Sequence, residues 1–217
     1  MNPTTPFRVR VKFAKLESLR FIGHLDLQRL FERALSRTGL PLRYSQGFSP
    51  KIRLNIASAL PLGFISCSEY LDFWLNTPVP DEDIDEALKG SLPQGIKVLE
   101  LYEVSDKLPS LQESVLSSQF ETAIPTIYAH CRLKDKLTDL FAQESIMVYR
   151  RKKTVDIKPM IEKLKLKTQN DSSVLFIQMS STTQMNGRPD ELLVLLGIDP
   201  ADVLIERTNI IFSPDFQ

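Results

Sequence analysis

The stretch Arg8-Val9-Arg10-Val11-Lys12-Phe13-Ala14-Lys15 alternates cationic and apolar residues from its first position to Phe13. A period of two is typical of a β-strand that has one face in the core and the other in water. The sequence therefore predicts a half-buried strand at residues 8–15. This strand is the first element of the predicted fold.

The residues that follow predict a helix, two strands, a second helix and a final strand. Apolar residues recur at helical spacing from His24 to Thr38, and Gly39 ends that helix. We expect a strand or hairpin arm at 41–58, broken around Gly47, then a strand at 69–75, a helix at 81–89 and a strand at 96–104. This element order is that of a ferredoxin-like (βαββαβ) sandwich.

The second half of the chain repeats the same order of elements. The patterns predict a strand at 120–124, a helix at 126–143, a strand or hairpin at 145–158, a strand at 174–180, a helix at 189–196 and a strand at 203–212. We therefore expect an α+β fold, a tandem of two ferredoxin-like units with antiparallel sheets. The expected domains are 7–105 and 118–213, joined by a linker at 106–117.

Composition excludes several classes of protein. The sequence has no run of 18 apolar residues and no apolar segment near Met1, so we expect no membrane span, no secretory signal and a cytoplasmic protein. Cys67 and Cys131, the two cysteines, are expected to be buried thiols and are too few to hold an iron–sulfur cluster. No pair of histidines has metal-binding spacing, so we expect neither a metal site nor a cofactor in this chain.

The zero net charge of the chain conceals separate basic and acidic blocks. Residues 1–60 contain 11 Lys and Arg against 3 Asp and Glu, and residues 61–125 contain 3 against 12. Residues 126–170 are again basic, with 11 against 5, and residues 171–217 are acidic, with 2 against 7. Segregation of this kind indicates basic and acidic surfaces, although the blocks could also neutralise each other within the fold.

A stripe of arginines lies on the polar face of the first predicted helix. Arg29, Arg33 and Arg37 are four residues apart and span about 12 Å at the helical rise of about 1.5 Å per residue. Such a stripe can follow the phosphates of a nucleic-acid strand. The alternative is an ordinary solvated helix face on which Asp26 pairs with Arg29.

The segment after this helix combines cations and aromatics around a glycine. Cations hold phosphates and aromatic faces stack on bases, so the segment 43–53 predicts contact with a nucleic-acid strand. The alternative is a hairpin whose aromatics close the core. The candidate residues are Arg43, Tyr44, Gln46, Phe48, Lys51 and Arg53.

Two further features complete the candidate residues. Arg150, Arg151, Lys152 and Lys153 form a run of cations at a predicted hairpin tip, either a second phosphate contact or a solvated turn. His24 could act with Tyr44 and Lys51 as the general base of a metal-independent ribonuclease. The alternative is a histidine that bonds its own helix turn, and we assign no catalytic residue.

Several motifs of the first half resemble the bacterial radical-SAM-linked family. They are Phe21-Ile22-Gly23-His24-Leu25-Asp26, Arg37-Thr38-Gly39-Leu40-Pro41, Tyr44-Ser45-Gln46-Gly47-Phe48-Ser49-Pro50, Ala59-Leu60-Pro61-Leu62-Gly63 and Glu69-Tyr70-Leu71-Asp72. The resemblance implies a bacterial accessory domain of undefined activity that works with a radical SAM enzyme in RNA or ribosome-related modification. Another chain would supply the iron–sulfur cluster. A fainter similarity, to the tandem ferredoxin-like endoribonucleases of CRISPR processing, lacks their glycine-rich loop.

Three functions are consistent with the sequence. The first is a non-catalytic module that binds RNA or a ribonucleoprotein for a radical SAM partner. The second is a metal-independent endoribonuclease that uses His24. The third is a protein-interaction module in which the acidic block 81–106 binds a basic partner without nucleic acid.

Overall fold

The computed structural model describes residues 6–150, 152–169 and 172–216, without the side chains at 129–131, 168, 169 and 172. These residues form two compact units. Unit 1 contains the chain up to Val115 together with the segment from Phe212, and unit 2 is Leu116–Ile211. Both units mix helices with largely antiparallel sheet, so the α+β class is confirmed.

Unit 1 is built on a sheet in which β1 lies between β4 and β3. Both neighbours run antiparallel to β1, and β2 pairs with β3. In chain order, the elements are β1 (Phe7–Lys15), α1 (His24–Ser36), β2 (Leu54–Ile56), β3 (Ile65–Leu75), α2 (Asp81–Ser91), β4 (Ile96–Val104) and the short α3 (Leu111–Ser114).

The core of unit 1 lies between one face of this sheet and the two long helices. Val9, Val11 and Phe13 of β1 belong to the same buried cluster as residues from α1 and α2. The rings of Phe13 and Phe31 meet edge to face, with centroids 4.8 Å apart. The apolar residues that recur at period two in β1 and at helical spacing in α1 therefore pack in one core, as the sequence predicts.

The opposite face of β1 is also buried, so the prediction of a half-buried strand is wrong. Arg8 and Arg10 are each only 1% exposed. The backbone at Leu108–Pro109 and the C-terminal turn Pro214–Phe216 contact these two side chains. The alternation correctly separates the two faces, but it does not show that other segments cover the cationic one.

The segment expected to be a linker, 106–117, carries ordered structure. Ser110 and Glu113 form a reciprocal capping box at the start of α3. The Gln112 side chain donates to the carbonyl of Ile56 at 3.0 Å, and the Ser213 N–H donates to the carbonyl of Ser114 at 2.8 Å. These bonds join α3 to both β2 and the C-terminal segment of unit 1.

Unit 2 has the strand order β10-β5-β9-β8, with β6 and β7 as a separate hairpin. Leu175 and Ile177 from the sheet and Leu192 and Leu193 from α5 are buried. The elements are β5 (Val115–Ile124), α4 (Leu133–Ala142), β6 (Met147–Arg150), β7 (Lys153–Asp156), β8 (Ile161–Gln169), β9 (Ser172–Ser180), α5 (Pro189–Leu195) and β10 (Ile205–Phe212).

Two elements of unit 2 differ from the sequence prediction. The single helix expected at 126–143 is instead a 3-10 helix, Thr126–Cys131, followed by α4, and left-handed Arg132 (φ 44°) separates them. The strand β8 was not predicted. The residues from Lys163 to Lys167 alternate Lys and Leu, a period-two pattern that does indicate a strand, and the pairing of β8 with β9 slips only before them, between Ile161 and Lys163.

Among the helices of the described residues, none is long and apolar enough to cross a membrane. Cys67, expected to be buried, is exposed on β3. It lies near the start of that strand, where the burial pattern is interrupted. The side chain of Cys131 lies outside the described part of the chain.

Candidate nucleic-acid interface

The arginine stripe lies on α1, opposite the face that enters the core. Leu27, Phe31 and Leu35 point inward and are buried, whereas Arg29 and Arg33 are exposed. Helical periodicity produces this division, because apolar residues three and four apart fix which side faces the sheet. The helix therefore presents the stripe to solvent.

The three arginines line one groove of about 330 Å³, which Asp26, Leu30 and Pro93 complete. Arg29 forms an exposed ion pair with Asp26 at 3.3 Å, and Arg37 donates to the carbonyl of Ser91 at 2.6 Å. Across the described residues, Arg33 has neither a hydrogen-bond partner nor an ion-pair partner. Arg33 is thus the member of the stripe that an external phosphate would meet without competition.

The segment 43–53 folds back on itself as a short hairpin. The N–H of Ser45 donates to the carbonyl of Lys51 at 2.8 Å, and the N–H of Arg53 donates to the carbonyl of Arg43 at 2.8 Å. Tyr44 and Ile52 form an isolated β-bridge between the arms. Of the two forms expected at 41–58, the structure has the hairpin broken around Gly47, with two short arms that join β3 through Arg43 and Trp74.

The tip of this hairpin projects into solvent. Phe48 is fully exposed, Tyr44 is 47% exposed, and Gln46 and Lys51 are exposed beside them. Gly47, with a φ of 131°, gives the tip a backbone conformation that side-chain-bearing residues rarely adopt. The aromatic residues at the tip do not pack against the core. Core packing therefore does not account for an aromatic residue at position 48.

Arg53 has a different environment from Lys51. Its guanidinium lies 4.0 Å from the centre of the Trp74 ring and 3.5 Å from a carboxylate oxygen of Asp106. The Trp74 indole also donates to Asp106, at 2.5 Å. These contacts hold the base of the hairpin, so Arg53 positions the tip and is less available to a ligand than Lys51.

The second cationic run is divided between a structural contact and solvent. Arg150 donates two hydrogen bonds to the carboxylate of Glu191, at the start of α5, and a third to the carbonyl of Asn186 at 2.9 Å. Lys152 is exposed at the turn between β6 and β7, and Lys153 is exposed at the start of β7. Arg151 lies outside the described residues.

His24 is the first residue of α1 and is half-buried. Tyr44 and Lys51, its proposed partners in a ribonuclease site, lie on opposite arms of the hairpin. In the described part of the chain, no group of three or more His, Cys, Asp and Glu side chains is placed to hold a metal ion. The role of His24 as a general base stays a prediction.

Two cations of the basic N-terminal block belong to an internal ion-pair cluster. Arg8 and Arg10 both donate to the carboxylate of Asp72, with Nε–oxygen distances of 2.7 and 2.9 Å. Asp72 is completely buried, and Arg10 lies directly opposite it in the sheet. These arginines are unavailable to a nucleic acid.

The remaining donors of this cluster bind backbone carbonyls and rings. Arg8 donates to the carbonyls of Leu108 and Pro109 at 2.8 and 2.9 Å. Arg10 donates to the carbonyl of Phe216 at 2.6 Å, and its guanidinium lies 4.2 Å from the centre of that ring. Buried charge is tolerated when every donor finds an acceptor, and this cluster largely meets that condition.

Lys15 is a third buried cation with a structural role. Its ammonium donates to the carbonyls of Arg20, Ile22 and Phe64 at 3.1–3.3 Å. The Gly63 N–H also donates to the carbonyl of Arg20, at 2.9 Å. Lys15 therefore joins two loops that carry separate sequence motifs of the first half.

Sequence reasoning missed both buried sites because it counted charges along the chain. The available signal for the first site was Asp72, a carboxylate among the apolar residues Leu71, Phe73, Trp74 and Leu75 of a predicted strand. An acid at such a position requires a buried cation nearby, and the alternating cations of the predicted first strand, Arg8 and Arg10 among them, could provide one.

Comparison with solved structures gives weak likeness over nearly the whole chain. The crystal structure of a candidate glycine cleavage system transcriptional repressor is similar with a TM-score of 0.25 and 13% identity, over 92% of this chain and 95% of that one. An unknown protein from Galdieria sulphuraria has a TM-score of 0.28 and 12% identity, over 95% and 98%. These scores carry no functional argument.

No curated protein matches the sequence. A family described as uncharacterized protein conserved in bacteria (DUF2344) does match, over residues 8–189. That span begins at Arg8 of the buried cluster and includes the stripe, the hairpin at 43–53 and most of unit 2. The chain therefore belongs to the DUF2344 family of uncharacterized bacterial proteins.

Proposed function

We propose that this protein is a non-catalytic accessory module that binds RNA or a ribonucleoprotein through unit 1. The observation that carries the proposal is the fully exposed Phe48 at the tip of the hairpin, between Tyr44 and Lys51. A base stacked on such a ring gains about 1–3 kcal/mol of binding free energy.

Stacking on Phe48 requires a base that is not already stacked in a duplex. The expected ligand is therefore a single-stranded segment or a loop of a folded RNA. Tyr44 offers a second ring and Gln46 an amide for a base edge. The hairpin arms are held by backbone hydrogen bonds, so the tip is presented from a fixed base.

Phosphate contacts in this proposal come from Arg33 and Lys51, with Arg29 and Arg37 contributing after exchange of their internal partners. The Arg53 side chain holds the base of the hairpin through Trp74 and Asp106. The bonds of Arg43 to Trp74 and Arg53, in contrast, use its backbone, and Arg43 remains a candidate phosphate contact. Lys152 and Lys153 form a second exposed cationic site in unit 2. Such contacts release counterions, so affinity should fall steeply as salt rises.

We also propose that each unit is a ferredoxin-like sandwich. The strand order β4-β1-β3-β2 in unit 1 and β10-β5-β9-β8 in unit 2 support this, because each places the first strand between the last and the third. In unit 2, the β6–β7 hairpin is then an insertion after the first helix.

A radical SAM enzyme on another chain is the proposed partner. The support is the resemblance of the motifs at 21–26 and 59–63, which Lys15 and the Gly63–Arg20 hydrogen bond bring together. Phe21, Leu25 and Leu62 of these motifs are all exposed. Exposed apolar side chains on joined loops fit a protein contact better than an RNA contact.

The test is fluorescence anisotropy with labelled single-stranded RNA and transfer-RNA fragments in EDTA, at about 50 and 200 mM salt. We expect salt-sensitive binding, intact RNA on a gel afterwards, and a loss of about 1–3 kcal/mol in Phe48→Ala. Phe21→Ala, which removes another exposed ring of unit 1, is the matched control and should bind as the parent does.

Two results would contradict the proposal. Absence of binding at both salt concentrations would favour a protein-interaction module. Cleavage of the RNA in EDTA, abolished in His24→Ala, would favour the endoribonuclease.

A further inference from the structure

The outer edge of β4 is open. β4 pairs with β1 along its length, from Ile96 to Val104, and lies at the end of the unit 1 sheet. Within the described chain, no strand pairs with its other edge. An open strand edge is a template for another extended chain.

A groove of about 290 Å³ lies between this strand and α2. Val98, Leu99 and Leu101 of β4 provide its apolar part. The register between β1 and β4 shifts so that Lys12 faces Glu100 and Phe13 faces Val98, which leaves Leu99 as an extra residue. This bulged residue is 40% exposed at the open edge, where an incoming side chain could contact it.

The charged lining of the groove is mainly negative. Asp85 pairs with Lys89, and Glu100 pairs with Lys12 at 2.6 Å. Asp81 and Glu82, at the start of α2, have no ion-pair partner among the described residues. The groove therefore offers two uncompensated carboxylates beside an open strand edge.

We propose that the β4 edge and this groove bind an extended, basic segment of a partner protein by β-strand addition. The backbone of the segment would pair with β4, an apolar side chain would meet Leu99, and Lys or Arg side chains would reach Asp81 and Glu82. Charge complementarity favours a basic protein segment, because the carboxylates of Asp81 and Glu82 attract Lys and Arg and repel the phosphates of a nucleic acid. A second copy of this chain would bring a second acidic α2 to the same edge.

This inference does not depend on RNA binding, since neither the hairpin tip nor the arginine stripe lines the groove. Failure of one proposal therefore leaves the other standing. The two surfaces together would allow unit 1 to hold a nucleic acid and a protein at once.

The probe is a fluorescein-labelled, ten-residue peptide that alternates Lys with Val or Thr, titrated against the full chain. Its acidic counterpart carries Glu in place of Lys. Two further basic peptides carry backbone N-methyl groups, one on its odd-numbered and the other on its even-numbered residues. Each therefore lacks the N–H donors along one edge of the extended peptide and keeps those along the other edge. We expect the basic peptide to bind, the acidic one not to bind, and one N-methylated peptide to bind at least about tenfold more weakly.

The matching variant is Asp81→Lys/Glu82→Lys, which should weaken peptide binding by about tenfold or more through like-charge repulsion. Asp139→Lys/Glu144→Lys makes the same charge change at exposed positions of unit 2 and should bind as the parent does. Hydrogen exchange of the complex should show new protection at 96–104.

Three results would overturn the proposal. They are no binding of the basic peptide, equal affinity for both N-methylated peptides and the parent peptide, and equal affinity of the two charge variants. Sedimentation of the free chain as a dimer that dissociates in Asp81→Lys/Glu82→Lys would assign the edge to a second copy instead.

Discussion

Cations of the same basic block have opposite roles in β1 and in α1. Arg8 and Arg10 are 1% exposed and hold Asp72, whereas Arg29 and Arg33 lie on a solvated helix face. The difference is the availability of an internal acceptor. A cluster of cations in the sequence therefore indicates a ligand surface only after the internal carboxylates and carbonyls are assigned.

We expect the largest effect when the buried acceptor of Arg8 and Arg10, the Asp72 carboxylate, is removed. Asp72→Asn leaves two buried guanidinium groups without their counter-charge, so we expect a loss of about 3–5 kcal/mol in the free energy of unfolding. Urea denaturation followed by circular dichroism measures this loss.

The control is Asp26→Asn, which removes the exposed partner of Arg29 and should change stability by less than about 1 kcal/mol. Equal losses in the two variants would mean that the buried cluster does not stabilise unit 1.

Lys15, the buried cation outside the Asp72 cluster, provides an independent check of the same idea. Lys15→Met keeps the apolar stem but leaves the carbonyls of Arg20, Ile22 and Phe64 without this donor. We expect a loss of about 1–3 kcal/mol in the free energy of unfolding.

Faster hydrogen exchange at 16–23 and 61–64 should accompany the loss of stability in Lys15→Met. Unchanged exchange in both loops would show that Lys15 does not hold them together. Lys97→Met, at an exposed position of β4, is the comparison variant.

For the exposed arginines of α1, we expect substitutions to weaken RNA binding without lowering the stability of the fold. Arg29→Ala/Arg33→Ala should reduce the slope of log affinity against log salt by about 0.7 for each phosphate of a single strand that the variant no longer neutralises. Stability should remain within about 0.5 kcal/mol of the parent.

Lys97→Ala/Lys107→Ala removes two exposed cations of unit 1 outside the stripe and should leave the salt slope unchanged. If both double variants change the slope equally, the RNA follows general charge and not the arginine stripe.

Lys12 is intermediate between the buried cations of β1 and the exposed cations of α1. We expect its ion pair with Glu100 to have the smallest effect on the free energy of unfolding. Its hydrogen bond to Glu100 raises the pKa of Lys12 above the ordinary value of 10.5, while partial burial opposes the shift. The stabilisation is complete below that ordinary value and disappears as the pH rises through the raised pKa. Water screens this largely exposed pair, so we expect less than about 1 kcal/mol.

Denaturation of the parent and of Glu100→Gln from pH 7 to pH 11 measures this contribution. The two stability curves should converge at the alkaline end. Curves that stay parallel throughout would show that the ion pair contributes nothing.

Local patterns predicted the elements of unit 1 well. The bounds expected for the strand at 96–104 are those of β4, and α1 and α2 begin at His24 and Asp81 as the sequence indicates. These elements have strong periodicity and clear ends. The break at Arg132 could not be predicted, because a left-handed residue leaves little trace in a pattern of hydrophobic spacing. The strand β8 could have been predicted, because Lys and Leu alternate from Lys163 to Lys167.

The candidate site was predicted only in part. The exposed tip at Gly47 and Phe48 follows from local sequence, because glycine, serine and proline cluster there. The structural positions of Arg53 and Arg150 could not be predicted, because their partners Asp106 and Glu191 are distant in the chain. The capping-box pattern of Ser110 and Glu113 is visible in the sequence, and it indicates an ordered helix start within 106–117.

The most direct test of the account is photochemical cross-linking of the full chain to single-stranded RNA, with cross-linked residues identified by mass spectrometry. The account predicts cross-links at Phe48 and Tyr44 of the hairpin tip and none at the buried Arg8 or Arg10. Cross-links confined to unit 2, or to the acidic groove beside β4, would contradict it.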